Sequence, residues 1–261
     1  MQFENTEAWG FEHAIRGMRN PMNSWDKSDS WYGCRYGDYG KTEFNDCEEP
    51  CKCDCKFCIG LNDLKLMQKL IRAGSEHRKF LRQIFVSVDI TAPLYWWKEF
   101  DTYKVGTVAN STSTMHKLTS TPITLECFEI DDYDESMIFE SGIDDRVDCP
   151  YRCNYRFREV IGHDEWLYDS DYTLIGFLES LRQKYLETKD KRYWRELIRW
   201  LPESWLQKRT ITMNYENLLM MYRQRKTHKL NEWSGLDNPE LPNFVSWVKT
   251  LPYANELICI E

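Results

Sequence analysis

The 261-residue chain has no apolar run of the roughly 18 residues needed to cross a bilayer, so the sequence predicts no membrane-spanning helix. Its N-terminus, MQFENTEAWGFEHAIRG, lacks the basic start and apolar core of a secretory signal, which points to a cytoplasmic protein. It lacks positive charge overall: the net charge is -8. That excludes coating of bulk nucleic acid through the overall field, while leaving room for a local basic pocket around one phosphate. There is no internal repeat and no low-complexity tract.

What is present is a globular composition, 42% hydrophobic and 29% charged, on a length that suffices for a large core. Aromatics are abundant at 15%, including 11 Trp. Rings this large belong in a core, an interface or a stacking site. The ten Cys read in a reducing compartment as thiols or metal ligands before disulfides. Six of them, Cys34, Cys47, Cys51, Cys53, Cys55 and Cys58, fall in an irregular stretch at 34–60. Cys55-x-x-Cys58 has the spacing of a tetrahedral zinc pair, and Cys51 or Cys47 can complete it; Cys149-x3-Cys153 can join from a distance. Cys51, Cys55 and Cys58 are therefore the candidate zinc ligands, against a loop of free thiols.

Along the chain, Ala14, Ile15 and Met18 form the apolar side of a short helix stopping before Pro21. Arg16 and Arg19, three apart, either share an anion-binding face or are solvated. Residues 62–74 form a helix capped by Asn62 or Asp63, with Leu64, Met67, Leu70 and Ile71 inward and Gly74 at its end. An alternating strand follows through Phe85, Val86, Val88 and Ile90 to Pro93, then a dense aromatic segment at 95–104 and a hydroxyl-rich loop at 110–116. Phosphate donors, stacking faces and polar loop groups within one strand-helix-loop unit suit a nucleotide or flavin site. The same stretch also reads as a buried strand and an amphipathic helix. Residues 126–148 carry ten acidic residues and one Arg, an exposed acidic loop. From 170 onward helical spacing dominates, with a third helix expected over 211–231. The cations at its end, Arg223, Arg225, Lys226, His228 and Lys229, suit either the helix dipole or a substrate phosphate. Periodicity alone gives a mixed α/β chain with a helical C-terminal half.

Across residues 62–251 the chain resembles the flavin-dependent thymidylate synthases, the ThyX family. A helix ending at Gly74 leads to His77, where the family has a His. A strand then ends in Ala92-Pro93, as the family's does. The family's Arg-Gln pair falls on Lys98-Glu99 and its Arg-His-Arg signature on Thr102-Tyr103-Lys104. With a one-residue insertion, its Asn and Ser fall on Asn110 and Ser113. A second block runs ungapped from Leu201-Pro202 through Asn214, at the family's helix Asn, to Arg225, at its Leu-x-Leu-Arg position.

The departures are as informative. The family's Arg-His-Arg supplies cationic donors for the flavin pyrophosphate, and only Lys104 keeps a charge here. The family's Glu-His has become Arg82-Gln83, a cation in place of an anion. The insertions at about 34–60 and 126–165 exceed a minimal family member.

The resemblance implies a single α+β ThyX-like domain, a small mainly antiparallel sheet flanked by helices, assembled as a homotetramer. It implies FAD as cofactor, with NADPH and methylenetetrahydrofolate as co-substrates, and one-carbon transfer to C5 of a pyrimidine nucleotide, dUMP. By that reading Arg225 and Ser113 are catalytic. Arg82, Gln83, Asn110, Ser113 and Arg225 hold the substrate, and His77, Lys104 and Asn214 contact the flavin. Two alternatives stand beside it: a non-catalytic nucleotide-binding or interaction protein on the same fold, motivated by the altered Arg-His-Arg, and a zinc-stabilised interaction protein, motivated by the Cys cluster.

Overall fold

The computed structural model describes residues 1–33, 56–130 and 174–260. Most of the Cys-rich stretch, including Cys51 and Cys55, and most of the acidic stretch lie outside the described residues.

The architecture is α+β. A four-stranded sheet has the order β1-β4-β6-β5, with β1 Gln2–Trp9, β4 Phe85–Pro93, β5 Val108–Ser111 and β6 Leu206–Asn214. Strand β4 alternates as its sequence requires: Val86, Val88, Ile90 and Ala92 are buried, and Phe85, Ser87, Asp89 and Thr91 face the other way. On that open face Asp89 accepts from Asn5 Nδ2 (2.8 Å) and Thr210 Oγ1 (2.6 Å). Residues 211–214, the last part of β6, were expected to start a helix and are strand instead. The strand's β-branched Thr210, Ile211 and Thr212, with Gln207, Ile211 and Met213 buried at period two, explain the change. A two-stranded antiparallel sheet pairs β2 (Trp31–Gly33) with β3 (Lys56–Cys58).

Two compact units divide the chain. The first comprises Thr91–Thr102 and Asn110–Arg209, with Met1. In it, helix α3 (Leu94–Phe100) starts where Pro93 has fixed an extended backbone. Its first N–H groups go to Trp205 O and Glu203 O, both at 3.1 Å. Trp96 and Trp97 are fully buried on it, and the Trp97 indole N–H donates to Gln207 O at 2.9 Å. Helices α5 (Leu174–Thr188) and α6 (Lys191–Arg199) close a second core, in which Leu178 and Leu197 meet Leu118, Ile123 and Phe128. The short α4 (Thr114–Lys117) also belongs to this unit.

The second unit comprises Gln2–Ile90, Tyr103–Ala109 and Thr210–Glu261. Helix α1 (Phe11–Arg19) buries Ala14, Ile15 and Met18 as expected. Helix α2 (Leu61–Arg72) buries Met67 and Ile71, and Gly74 follows it in the left-handed conformation (φ 112°). The caps differ from expectation. Asp29, from a distant turn, accepts the α2 backbone N–H groups of Asn62 (2.8 Å) and Asp63 (3.0 Å). Asp63 itself is wholly buried and accepts from Arg19 Nε (2.6 Å), Ser28 Oγ (2.7 Å) and Ser30 Oγ (2.6 Å). Arg19 also donates to Ser24 O and Lys27 O, so it staples the 24–30 turn to α1 and is not held ready for an anion. Removing one partner of such a buried pair strands the other, at about 3–5 kcal/mol. Helix α7 (Tyr215–Arg225) continues from β6; α8 (Asn231–Ser234), α9 (Phe244–Lys249) and α10 (Ala254–Leu257) complete the unit.

Candidate functional site

Helix α7 is the platform on which most candidate residues meet. It begins one residue after β6 because Asn214, in extended backbone, forms a capping box. Its Oδ1 accepts the Asn217 N–H (3.0 Å), and Asn217 Oδ1 accepts the Asn214 N–H (3.3 Å). The Tyr215 N–H goes to Ile84 O at 3.0 Å. Tyr215 Oη donates to Pro252 O (2.6 Å), and burial pushes its hydroxyl pKa upward. The fixed helix start fixes a loop too. Asn217 Nδ2 donates to Val105 O (2.7 Å), and Thr107 Oγ1 donates to Tyr103 O (2.6 Å). Gly106 is the pivot: its φ is +81°, and a Cβ there would meet Asn217 Oδ1 at 2.9 Å and Asn214 Nδ2 at 3.0 Å. Lys104 is thereby carried on a pinned loop. It is exposed, and its Nζ has no ion-pair or hydrogen-bond partner among the described residues.

At the other end of α7, Arg225 is half-buried and oriented by aromatic groups. Its Nε donates to Tyr103 Oη (2.8 Å), which in turn donates to Gln224 Oε1 (2.9 Å). The guanidinium carbon lies 4.6 Å from the Trp233 ring centre and 5.4 Å from that of Tyr103. A guanidinium held by its Nε and by ring faces is fixed in plane and direction before any ligand arrives. Tyr103 stands where the resemblance places a His, and its role here is to hold Arg225.

The 3-10 turn Lys79–Gln83 packs against α7 through charge. Glu216, on the first turn of α7, accepts from Arg78 Nε (3.3 Å) and from Arg82 Nε. Burial resists ionisation of Glu216, but the hydrogen bonds from Arg82 and Arg78 outweigh it and hold the carboxyl below its usual range. The same carboxylate raises the Arg82 pKa. Arg78 is buried and also meets Met220 Sδ at 3.3 Å. Arg82 is 55% exposed, and its Nη nitrogens have no partner among the described residues. Glu216 neutralises Arg82 from the facing helix. Gln83 packs its side-chain Oε1 against Gly17, leaving no room for a Cβ there. His77 is exposed, with its backbone N–H on Gly74 O.

Asn110 and Ser113 belong to the first unit. Asn110 is exposed on β5, and Ser113 caps α4 by accepting the His116 N–H at 3.2 Å. In that unit Thr102 Oγ1 is turned onto Glu99 O (2.7 Å). Sequence reasoning missed Arg209, which lies 4.2 Å over the Trp97 ring and donates to Asp101 (2.8 Å) and Gln207 Oε1 (3.0 Å). It also missed Glu216, Asn217 and Trp233 as supports. Of these only the Asn214-x-x-Asn217 spacing was a local signal.

A cavity of about 500 Å³ in the second unit is lined by Ile15, Arg16, Trp25, Trp31, Tyr32 and Phe57 among others, and holds none of the candidate residues. Of the candidate zinc ligands only Cys58, on β3, is described. Among the described residues no three His, Cys, Asp or Glu side chains cluster as a metal site.

No protein-family model matches the sequence, and no curated protein matches it by sequence. Solved structures match by fold. One is the flavin-dependent thymidylate synthase ThyX from Helicobacter pylori complexed with FAD and dUMP: TM-score 0.53 and 14% identity, over 99% of this chain and 98% of that one. A second structure of Helicobacter pylori ThyX with FAD and dUMP gives TM-score 0.51 and 14% identity, over 97% and 94%. The chain has a ThyX-like fold.

Proposed function

We propose that this chain, on its ThyX-like fold, binds FAD and a pyrimidine deoxynucleotide and acts as a flavin-dependent thymidylate synthase-like enzyme. The reaction is one-carbon transfer to C5 of dUMP, with NADPH and methylenetetrahydrofolate as co-substrates, in a cytoplasmic homotetramer. The observation that carries the reading is the oriented guanidinium of Arg225, at the position where the resemblance has its substrate Arg; the ThyX structures that share the fold are complexed with FAD and dUMP.

Arg225 binds the nucleotide and polarises a ring carbonyl, an interaction that strengthens as negative charge develops there. Tyr103 and Trp233 hold its plane, so little rotamer entropy is lost on binding. By the resemblance Asn110 and Ser113 supply amide and hydroxyl contacts to the substrate, and Arg82 and Gln83 are its other polar contacts. The residues present suit a flavin's anionic chain: Lys104 is exposed on a pinned loop, His77 is exposed, and Asn214 lies beside Gly106. When bound, FAD supplies the hydride-carrying chemistry, and no Cys nucleophile is needed.

The second reading, a nucleotide-binding module without catalysis, is favoured by one observation. Of Thr102, Tyr103 and Lys104 at the three Arg-His-Arg positions only Lys104 is cationic, and Thr102 spends its hydroxyl on Glu99 O.

Calorimetric titration with dUMP and with deoxyuridine, on the wild type and Arg225→Gln, tests the proposal. Binding of dUMP by the wild type, weakened about 10- to 100-fold in the variant, is expected for a lost charge-assisted contact of about 1.5–3 kcal/mol. Equal dUMP binding by both proteins contradicts it.

A further inference from the structure

Of the two arginines three apart on α1, Arg19 is consumed by the fold and Arg16 is not. Arg16 is exposed and lines the cavity of about 500 Å³ in the second unit, a volume that suits a small organic ligand. Its Nη2 donates to His13 Nδ1 at 3.2 Å. Glu12, one helical turn earlier, lines the same cavity and is also exposed. Its Oε2 accepts the Tyr32 hydroxyl at 2.9 Å, and its Oε1 has no partner among the described residues. A Glu four residues before an Arg ordinarily pairs with it. Here the two turn to different partners, so one anion and one cation stand on the same cavity wall.

The rest of the cavity is aromatic. Tyr32 and Phe57 face each other across the β2–β3 pair, with ring centres 5.1 Å apart, edge to face. The Trp25 indole N–H donates to Asn20 Oδ1 at 2.8 Å, which fixes that ring in place. Trp31 and the buried Ile15 complete the wall. Trp25, Trp31 and Tyr32 stay about half exposed despite their size. The other polar lining groups, Arg19, Ser28 and Ser30, are all spent on Asp63.

We propose that this cavity binds a small aromatic zwitterion, a ring carrying an ammonium and a carboxylate on one short chain, as in a free aromatic amino acid. The ring lies among Trp25, Trp31, Tyr32 and Phe57. The carboxylate takes the Arg16 guanidinium, a charge-assisted contact, and the ammonium takes Oε1 of Glu12. Charge complementarity selects this occupant. A ring bearing only an anion brings its charge beside Glu12, and one bearing only a cation brings it beside Arg16; the zwitterion pairs both. None of the residues assigned to flavin or nucleotide lines the cavity, so the site is independent of the proposed reaction.

The test titrates the full chain by calorimetry with L-phenylalanine, 3-phenylpropionate (no ammonium), phenethylamine (no carboxylate) and L-alanine (no ring). The proteins are the wild type, Arg16→Gln and Glu12→Gln, with a thermal melt for each. Both variants should melt like the wild type, since both side chains are exposed. L-phenylalanine is expected to bind the wild type, and each substitution to weaken it by about tenfold or more, as for a lost charge-assisted contact. 3-Phenylpropionate should bind more weakly than L-phenylalanine and lose affinity only in Arg16→Gln; phenethylamine should lose it only in Glu12→Gln. Absence of L-phenylalanine binding overturns the proposal. So does an affinity for it that either substitution leaves unchanged, or one that L-alanine or 3-phenylpropionate equals.

Discussion

At the scale of single residues, several side chains read as ligand contacts also hold structure, and the two roles can be separated. Asn214 is at once the cap of α7 and the residue that resemblance assigns to flavin. A Ser keeps the cap oxygen and loses the amide. Asn214→Ala is expected to lower stability by about 1 kcal/mol, and Asn214→Ser by much less, in urea unfolding. If the amide serves the cofactor, both variants lose FAD affinity alike; if Asn214 only caps, affinity follows stability. The sequence put Asn214 and Arg225 inside one helix over 211–231, whereas Asn214 ends β6 as the cap and Arg225 ends the helix. It was blind to Glu216 as partner of Arg78 and Arg82, because pairs 138 and 134 residues apart leave no local pattern.

At the scale of elements, legibility followed the strength of the period. Helices α1 and α2 and strand β4 were readable from their buried stripes. β6 was not: its alternation is carried partly by Gln207, and it runs directly into α7, so helical spacing was extended backward over Ile211. The cap of α2 was misread because Asp29 reaches it from another element, which frees Asp63 to be buried. That burial has a pH signature. Burial alone would raise the Asp63 pKa, but hydrogen bonds from Ser28, Ser30 and Arg19, with the Arg19 charge, bring it below its ordinary 3.8. The folded state therefore holds the proton more weakly than the unfolded chain. The stabilisation is complete above pH 3.8 and is lost as pH falls through the depressed value. Asp63→Asn is expected to melt well below the wild type at pH 7, with the gap closing in melts taken progressively below pH 3.8. A gap independent of pH contradicts the ionised pair.

At the scale of the whole molecule, an acidic chain presents local cations where α7 gathers them. The fold was legible through spaced motifs: a helix-Gly-His-strand-Pro block, and a block running from Leu201 to Arg225. With 14% identity to structures of the same fold, little of that signal is in shared residues and much of it in the order of elements. Asn214 and Arg225 were singled out because one residue type answers one geometric need, a capping amide and an oriented guanidinium. Supports drawn from distant segments, such as Trp233 and Tyr103 around Arg225, emerge only once the chain is folded.

The central claim is that this scaffold still holds a flavin although its Arg-His-Arg signature reads Thr102-Tyr103-Lys104. The most direct measurement is the visible absorption spectrum of the purified full-length protein, before and after loading with FAD and desalting, with and without dUMP. A retained flavin band, strengthened by dUMP, is the result expected here. A protein that stays colourless after loading, with dUMP present, contradicts the account and leaves a nucleotide-binding or interaction protein on a ThyX-like fold.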